Sequence, residues 1–296
     1  STYIYIYLLV CPSRRAGNNA RQCSRVLNFL MGLCASSFTA KDSVRVPEEC
    51  KTLEKAVDRV SKNDRLTTIV LGKGQYLIDR RFREYLQISF AMNIVGDPGV
   101  PKEEIVVVGG IWFIEGIQGN CHLQHLTLRQ AKYGGVNGYS SFTMEDVLVA
   151  HCGGSGVAAY GNVYRDVVGT CTDVEVRQCE MSGVVASNGA SVTLIGAKTT
   201  VHHNCTNGNY SEEYGLRVSG SSSTILVSPL TKEQVSCDNG GAGNWGATEG
   251  GDINQIKTMT EAEREALAVA AAAARAKGEV RVPEDCNTLQ EAVDKV

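Results

Sequence analysis

The amino-acid sequence predicts an all-β protein: a right-handed, single-stranded parallel β-helix (solenoid) with a short N-terminal capping helix and a C-terminal α-helical linker. Three observations predict this fold. Four segments with alternating apolar residues align with one another, a small residue recurs at one aligned position, and a glycine recurs at a second. Glycine is also frequent, with 31 residues, while aromatic residues make up only 6% of the chain. This composition suits many tight turns around a narrow interior.

The alignment places equivalent residues one coil apart. Its segments are LTLRQAKYGGV (126–136), VLVAHCGGSGV (147–157), VEVRQCEMSGV (174–184) and VHHNCTNGNYSEEYGL (201–216). One column contains Ala131, Cys152, Cys179 and Cys205, at steps of 21, 27 and 26 residues, and another contains Gly135, Gly156, Gly183 and Gly215. Strands of a solenoid stack about 4.8 Å apart, so a residue type that suits the interior at one turn suits it at the next. We expect the cysteines to fill an inner corner and the glycines to supply a turn conformation that other residues avoid.

A short helix is predicted before the first strands of the coil. Thr52 is the candidate N-cap, and the apolar residues Leu53, Ala56, Val57 and Val60 follow at helical spacing. Such a helix would cover the end of the solenoid, where core and strand edge would otherwise be exposed.

An internal repeat predicts the domain organisation. The segment VRVPEECKTLEKAVDRV (44–60) returns as VRVPEDCNTLQEAVDKV (280–296), with 12 of 17 positions identical. The repeat indicates a tandem array, and the alanine-rich segment between the copies, in which Thr260 and Glu263 form a capping-box pattern, predicts a helical spacer. Four parts are expected: a poorly ordered leader (1–42), the β-helix domain (43–257), the helical linker (258–279) and the truncated start of a second unit (280–296).

Charge and cysteine content limit the partners. The net charge of −3, with both signs mixed along the chain, predicts neither nucleic acid nor a membrane as a partner. The eleven cysteines include no C-x-x-C pair, which favours reduced thiols in the core over a zinc site or a disulfide framework. Reduced thiols slightly favour the cytoplasm, although the sequence does not fix the compartment.

The beginning of the unit resembles a known family. TLEKAVDRV, TTIVLGKGQYLID and MNIVGDPGVPKEEIVVVGG are similar to the first coils of pectin methylesterases and other pectin-lyase-like proteins. The unit as a whole resembles the tandem β-helix units of large uncharacterised microalgal proteins, over roughly residues 43–257. The resemblance implies a parallel β-helix fold and a function that involves polysaccharides. The catalytic motifs of pectin methylesterases and polygalacturonases are missing here, so no catalytic residue can be transferred.

The weak catalytic candidates are His125, Asp146 and Asp173, which precede three aligned strands. Two carboxyl groups on neighbouring coils would have the separation that glycosidases use, and their mutual repulsion would raise one carboxyl pKa, as a general acid requires. One alternative is that each aspartate bonds its own backbone at a tight turn. Another is a Ca²⁺ ion shared by Asp146 and Asp173, the only cofactor that the pattern allows.

A second candidate site surrounds the insertion in the fourth segment. His202 and His203 lie beside a loop that contains Tyr210, Glu212, Glu213 and Tyr214. Aromatic and acidic side chains on a rigid scaffold suit sugar or peptide binding, and the alternative is an ordinary solvent-facing loop.

Three classes of function are left open. The favoured one is a non-catalytic β-helix repeat module for carbohydrate binding or scaffolding, since repeated rigid units form extended binding surfaces. The others are a polysaccharide-active enzyme, such as a pectin-type hydrolase, lyase or esterase, and a protein–protein adaptor. The expected partners are therefore a polysaccharide or a protein.

Overall fold

The structure, a computed structural model, describes residues 42–78, 85–162, 165–208, 211–266 and 269. Within them the chain forms a parallel β-helix of about eight turns, so the predicted fold class is confirmed. The expected leader, apart from Asp42, and the expected second unit lie outside the described residues. So does the linker beyond residue 266, except Val269.

Short strands follow one another along the whole domain. In chain order they are β1 (Ser43–Val46), β2 (Thr68–Leu71), β3 (Gly74–Leu77), β4 (Tyr85–Ile88), β5 (Asn93–Gly96), β6 (Ile105–Val108), β7 (Gly110–Phe113), β8 (Cys121–Arg129), β9 (Val136–Gly138), β10 (Phe142–Ala150), β11 (Val157–Tyr160), β12 (Val168–Thr172), β13 (Glu175–Arg177), β14 (Val184–Ser187), β15 (Ser191–Ile195), β16 (Thr200–His202), β17 (Tyr214–Ser219), β18 (Ser223–Val227), β19 (Ser236–Cys237), β20 (Gly243–Thr248) and β21 (Ile256–Met259). The last strand ends two residues beyond the predicted domain boundary.

The strands build three parallel faces around one core. The first face runs β1-β2-β5-β8-β10-β12-β15-β18-β21, and the third runs β4-β7-β9-β11-β14-β17-β20. The second face contains β3, β6, β13, β16 and β19 with the C-terminal halves of β8 and β10, which bend at a corner and so belong to two faces. The interior repeats from turn to turn, as shown by one register column that is fully shielded from solvent: Val107, Leu128, Val149, Val176 and Val201.

The predicted cysteine column is correct for three turns and wrong at the fourth. Because Val176 pairs with Val201, the residue that follows Cys179 in the column is Asn204, and Cys205 lies one position beyond it. Asn204 is buried, accepts a hydrogen bond from the Cys179 N–H at 3.1 Å and donates one to the Val176 carbonyl at 3.0 Å. Asn239 does the same one turn later, with the N–H of Asn204 and the carbonyl of Val201. An amide that satisfies buried backbone groups replaces the thiol here.

The glycine column is confirmed, but the expected reason for it is wrong. Gly135, Gly156, Gly183 and Gly215 do not adopt a left-handed conformation. That conformation falls on the corner residues Gln130, His151, Gln178 and His203, with φ between 54° and 56°. The glycines are required for space, since a Cβ at Gly156 would overlap Val176 and approach the Gly183 carbonyl oxygen to 2.8 Å.

The predicted capping helix is also present. Helix α1 (Leu53–Ser61) begins after Thr52, whose Oγ1 accepts a hydrogen bond from the Lys55 N–H, and the four predicted apolar residues are buried. A one-turn helix, α2 (Lys232–Val235), contacts β16, β19 and β21 near the other end. At the linker, Thr260 and Glu263 form the predicted capping box, and residues 261–266 are helical. Among the described residues, no helix is both long and apolar enough to cross a bilayer.

The cysteines of the described residues are all free thiols: Cys50, Cys121, Cys152, Cys171, Cys179, Cys205 and Cys237. Burial raises the pKa of Cys121 to about 11 and that of Cys171 to about 12. Such thiols stay protonated near neutral pH and act as small apolar side chains, as the sequence predicts.

Candidate functional site

The corner between the first and second faces brings the three weak catalytic candidates together. His125, Asp146 and Asp173 occupy the same corner position on successive turns, because Leu148 pairs with both Thr127 and Glu175. All three adopt a left-handed backbone conformation, with φ of 52°, 50° and 51°. Asparagine, aspartate and histidine tolerate this conformation better than most residues, which gives a local reason for their recurrence.

Asp146 is held by two side chains. Its Oδ1 lies 2.7 Å from Lys102 Nζ, and its Oδ2 lies 2.6 Å from His125 Nδ1. The other ring nitrogen of His125, Nε2, lies 2.8 Å from the Val100 carbonyl oxygen. A carbonyl and an ionised carboxylate can only accept hydrogen bonds, so the geometry fits an imidazole that donates from both nitrogens.

The pKa of Asp146 shifts opposite to the expectation. Partial burial raises it, but the hydrogen bonds from Lys102 and His125 outweigh burial, and the pKa falls below its ordinary value. A general acid needs a raised pKa so that it retains its proton at neutral pH. The expectation that repulsion between neighbouring carboxyls would raise the pKa is therefore wrong for Asp146, which carries its charge as part of an ion-pair network.

Asp173 has a structural partner on the following turn. Its Oδ1 accepts a hydrogen bond from the Lys198 N–H at 3.2 Å, close to Gly196. This contact differs from the alternative of an aspartate that bonds its own backbone, because the N–H group belongs to the next turn. A Ca²⁺ ion shared with Asp146 would have to displace Lys102 and His125 from the first carboxylate. Among the described residues, no three His, Cys, Asp or Glu side chains are grouped to hold a metal ion.

The second candidate site is divided between the inside and the outside of the molecule. Glu213 is only 4% exposed, accepts hydrogen bonds from the Ser182 N–H and Oγ, and forms a 2.7 Å ion pair with Arg217. Its carboxylate therefore ties β17 to the preceding turn. Glu212 is exposed, and Tyr214 begins β17 beside Gly246. Tyr210 lies outside the described residues.

His202 and His203 contact each other on the outer surface. Their Nδ1 atoms lie 2.7 Å apart, and His202 Nε2 lies 3.3 Å from Glu175 Oε1 on the preceding turn. Successive strand residues normally point to opposite sides. His203 lies at the corner and has a left-handed backbone conformation, with φ of 54°. In this conformation the two side chains lie on the same side of the chain.

A row of aromatic rings on the third face was missed by the sequence analysis. Tyr85, Trp112, Tyr139 and Tyr160 are half-buried and follow one another along the axis. Their ring centroids are separated by 4.2, 5.3 and 4.9 Å in that order. The last two pairs are stacked, with interplanar angles of 29° and 19°, so the rings present mainly their edges to solvent. We call these four residues the aromatic row.

The sequence contains only a partial signal for the aromatic row. Its members are 27, 27 and 21 residues apart. The strand register separates the first three coils of this face by 25 residues, so only the last step, from Tyr139 to Tyr160, equals a coil step. The buried cysteine and glycine columns do not reveal which large residues repeat on the outer side. Burial raises the pKa of both Tyr139 and Tyr160, so the phenols stay protonated and can donate hydrogen bonds near neutral pH.

Comparisons of this chain with protein-family models, with curated proteins and with solved structures found no match.

Proposed function

We propose that the domain is a non-catalytic β-helix module that binds an extended polysaccharide along its third face. The aromatic row carries this proposal. It forms a continuous strip of four rings across consecutive turns, and the ring spacing of 4.2–5.3 Å is comparable to the length of one sugar unit in a chain. The resemblance of the first coils to pectin-lyase-like proteins points to the same class of ligand.

The chemistry of the strip suits sugar hydroxyls and C–H groups. The exposed ring edges supply apolar area, and the tyrosine hydroxyls supply polar groups beside it. Gln87 and Asn137 flank Trp112 in register on the outer side of the same face and are half-buried. Amides of this kind both donate and accept hydrogen bonds, as each sugar hydroxyl does. A few fixed polar groups beside aromatic surface are typical of small-ligand sites.

Tryptophan fluorescence can test the proposal directly, because the chain has only two tryptophans, Trp112 and Trp245. In a Trp245→Phe background, Trp112 reports on the aromatic row alone. Ligands are first selected on a glycan array and then titrated. We expect Trp112 emission to change on binding. Because truncated aromatic anchors often cost 2 kcal/mol or more, Tyr139→Ala should weaken binding at least about tenfold.

Tyr133→Ala is the matched control for this titration. Tyr133 is 53% exposed and lies outside the aromatic row, so its removal should leave the affinity unchanged. Equal losses in the two tyrosine variants would contradict a site at the aromatic row. Failure of every glycan to bind would contradict the proposal and leave a protein–protein adaptor as the favoured function.

A polysaccharide-active enzyme is the second candidate. The observation in its favour is the stacking of His125, Asp146 and Asp173 on successive turns. A reducing-sugar assay on pectin and alginate tests it. Activity that is lost in both Asp146→Asn and Asp173→Asn would favour the enzyme, whereas binding without product release favours the module.

A further inference from the structure

We infer that His202 and His203 form a binding site for a divalent transition-metal ion, at a location separate from the aromatic row. The two Nδ1 atoms face each other at 2.7 Å, so a proton must lie between them when no metal is bound. A metal ion would take the place of that proton, which would move to Nε2 of His203, so that both imidazoles bind the metal as neutral rings. Two nitrogen ligands at about 2.0–2.1 Å from a metal lie about 2.8–3.4 Å apart, for angles at the metal between 90° and tetrahedral. The pair therefore needs to open by less than about 1 Å.

Glu175 orients the first imidazole. Its carboxylate can only accept a hydrogen bond, so the 3.3 Å contact with His202 Nε2 places the ring proton on Nε2 and leaves the Nδ1 lone pair pointing towards His203. A carboxylate that accepts from the distal nitrogen of a metal-binding histidine is the usual supporting arrangement in metal sites. Glu175 also pairs with Arg177 at 2.8 Å, which holds the carboxylate in position.

The remaining ligands of the metal would come from solvent. His202 is in register with Cys237, and the following residues, His203 and Asp238, both adopt the left-handed corner conformation. A carboxylate therefore follows one turn after the imidazole pair, at a spacing of about 4.8 Å. In the present geometry the site offers two converging nitrogens, and neither Asp238 nor Cys237 completes a three-ligand group with them.

Isothermal titration with Ni²⁺ is the test, since Ni²⁺ suits imidazole, whereas Zn²⁺ would also be taken by the cysteines. We expect one ion per wild-type chain. His202→Gln and His203→Gln should each weaken binding at least tenfold, and Glu175→Gln should weaken it about 10–100-fold, as for other supporting residues. His151→Gln is the matched control. This exposed histidine has the same corner conformation, but its preceding neighbour is Ala150.

The inference fails if wild-type protein does not bind Ni²⁺, if either histidine variant binds as tightly as wild type, or if the control loses affinity equally. Unchanged affinity in Glu175→Gln would contradict its positioning role. Should a variant not fold, the wild-type chain alone can decide. Its five histidines are His122, His125, His151, His202 and His203. Ni²⁺ should protect His202 and His203, but not His151, from acylation by diethyl pyrocarbonate.

Discussion

At the scale of single residues, glycine recurs in this protein because two turns approach too closely for a side chain. A Cβ at Gly156 would overlap Val176 Cγ1, lie 2.8 Å from the Gly183 carbonyl oxygen and lie 3.2 Å from Cys179 Sγ. Its backbone conformation is ordinary, so steric exclusion alone explains the residue. The same reason explains why the sequence revealed the column but not its cause: a one-letter pattern does not distinguish a left-handed turn from a close contact.

Gly156→Ala should therefore destabilise the domain. Forcing a methyl group into a packed interior typically costs about 1–3 kcal/mol. Urea unfolding followed by circular dichroism measures the loss. Gly208→Ala serves as the control, because no heavy atom lies within 4 Å of a Cβ built there, and its effect should stay within about 0.5 kcal/mol. Similar losses of stability in Gly156→Ala and Gly208→Ala would show that the close contacts of the glycine column do not cause the destabilisation.

At the scale of elements, the sequence predicted well those features that depend on local pattern. The burial of Leu53 and Val57 in α1 and the Thr260 cap follow from helical spacing and capping chemistry, and both are present. The predictions failed where a partner from another turn decides the outcome. The register of β16 places Asn204 rather than Cys205 in the cysteine column, where Asn204 bonds Cys179. Asp146 forms its ion pair with Lys102. Each of these contacts joins residues that are 25 or more positions apart in the chain.

The ion-pair network of Lys102, His125 and Asp146 holds the segment between β5 and β6 against the first corner, which is the corner between the first and second faces. Lys102 bonds Asp146, its carbonyl accepts from Thr127 Oγ1 at 2.9 Å, and the Val100 carbonyl lies beside His125 Nε2. The pKa of Asp146 is lower in the folded protein than in the unfolded chain, so the unfolded chain binds more protons below about pH 4. The resulting stability is complete above that pH and is lost as the pH falls through the folded pKa.

Asp146→Asn should remove part of this acid sensitivity. The variant should be less stable than wild type at neutral pH and should lose less stability on acidification below about pH 4. Because the Asp146 side chain retains 35% exposure, solvent screens the pair, and we expect a difference of about 1 kcal/mol or less. Urea unfolding at a series of pH values measures it. The exposed neighbour Glu145, changed to Gln, is the control. Parallel stability curves for Asp146→Asn and wild type would contradict the assignment.

At the scale of the whole molecule, a solenoid is stabilised by contacts between nearby turns, so energetic coupling should fade along its axis. Phe113 and Phe142 are buried and stacked, with centroids 5.7 Å apart, and Phe142 fills the space beside Gly138. In a double-mutant cycle with Phe113→Leu and Phe142→Leu, we expect an interaction of about 0.5–1.5 kcal/mol in the free energy of unfolding.

Leu226 is equally buried but lies on β18, several turns away, so Phe113→Leu and Leu226→Ala should be additive within about 0.5 kcal/mol. Equal coupling in the two cycles would mean that the domain responds as one globular core rather than as a stack of turns. In that case, changes at the first corner could not be interpreted independently of the aromatic row.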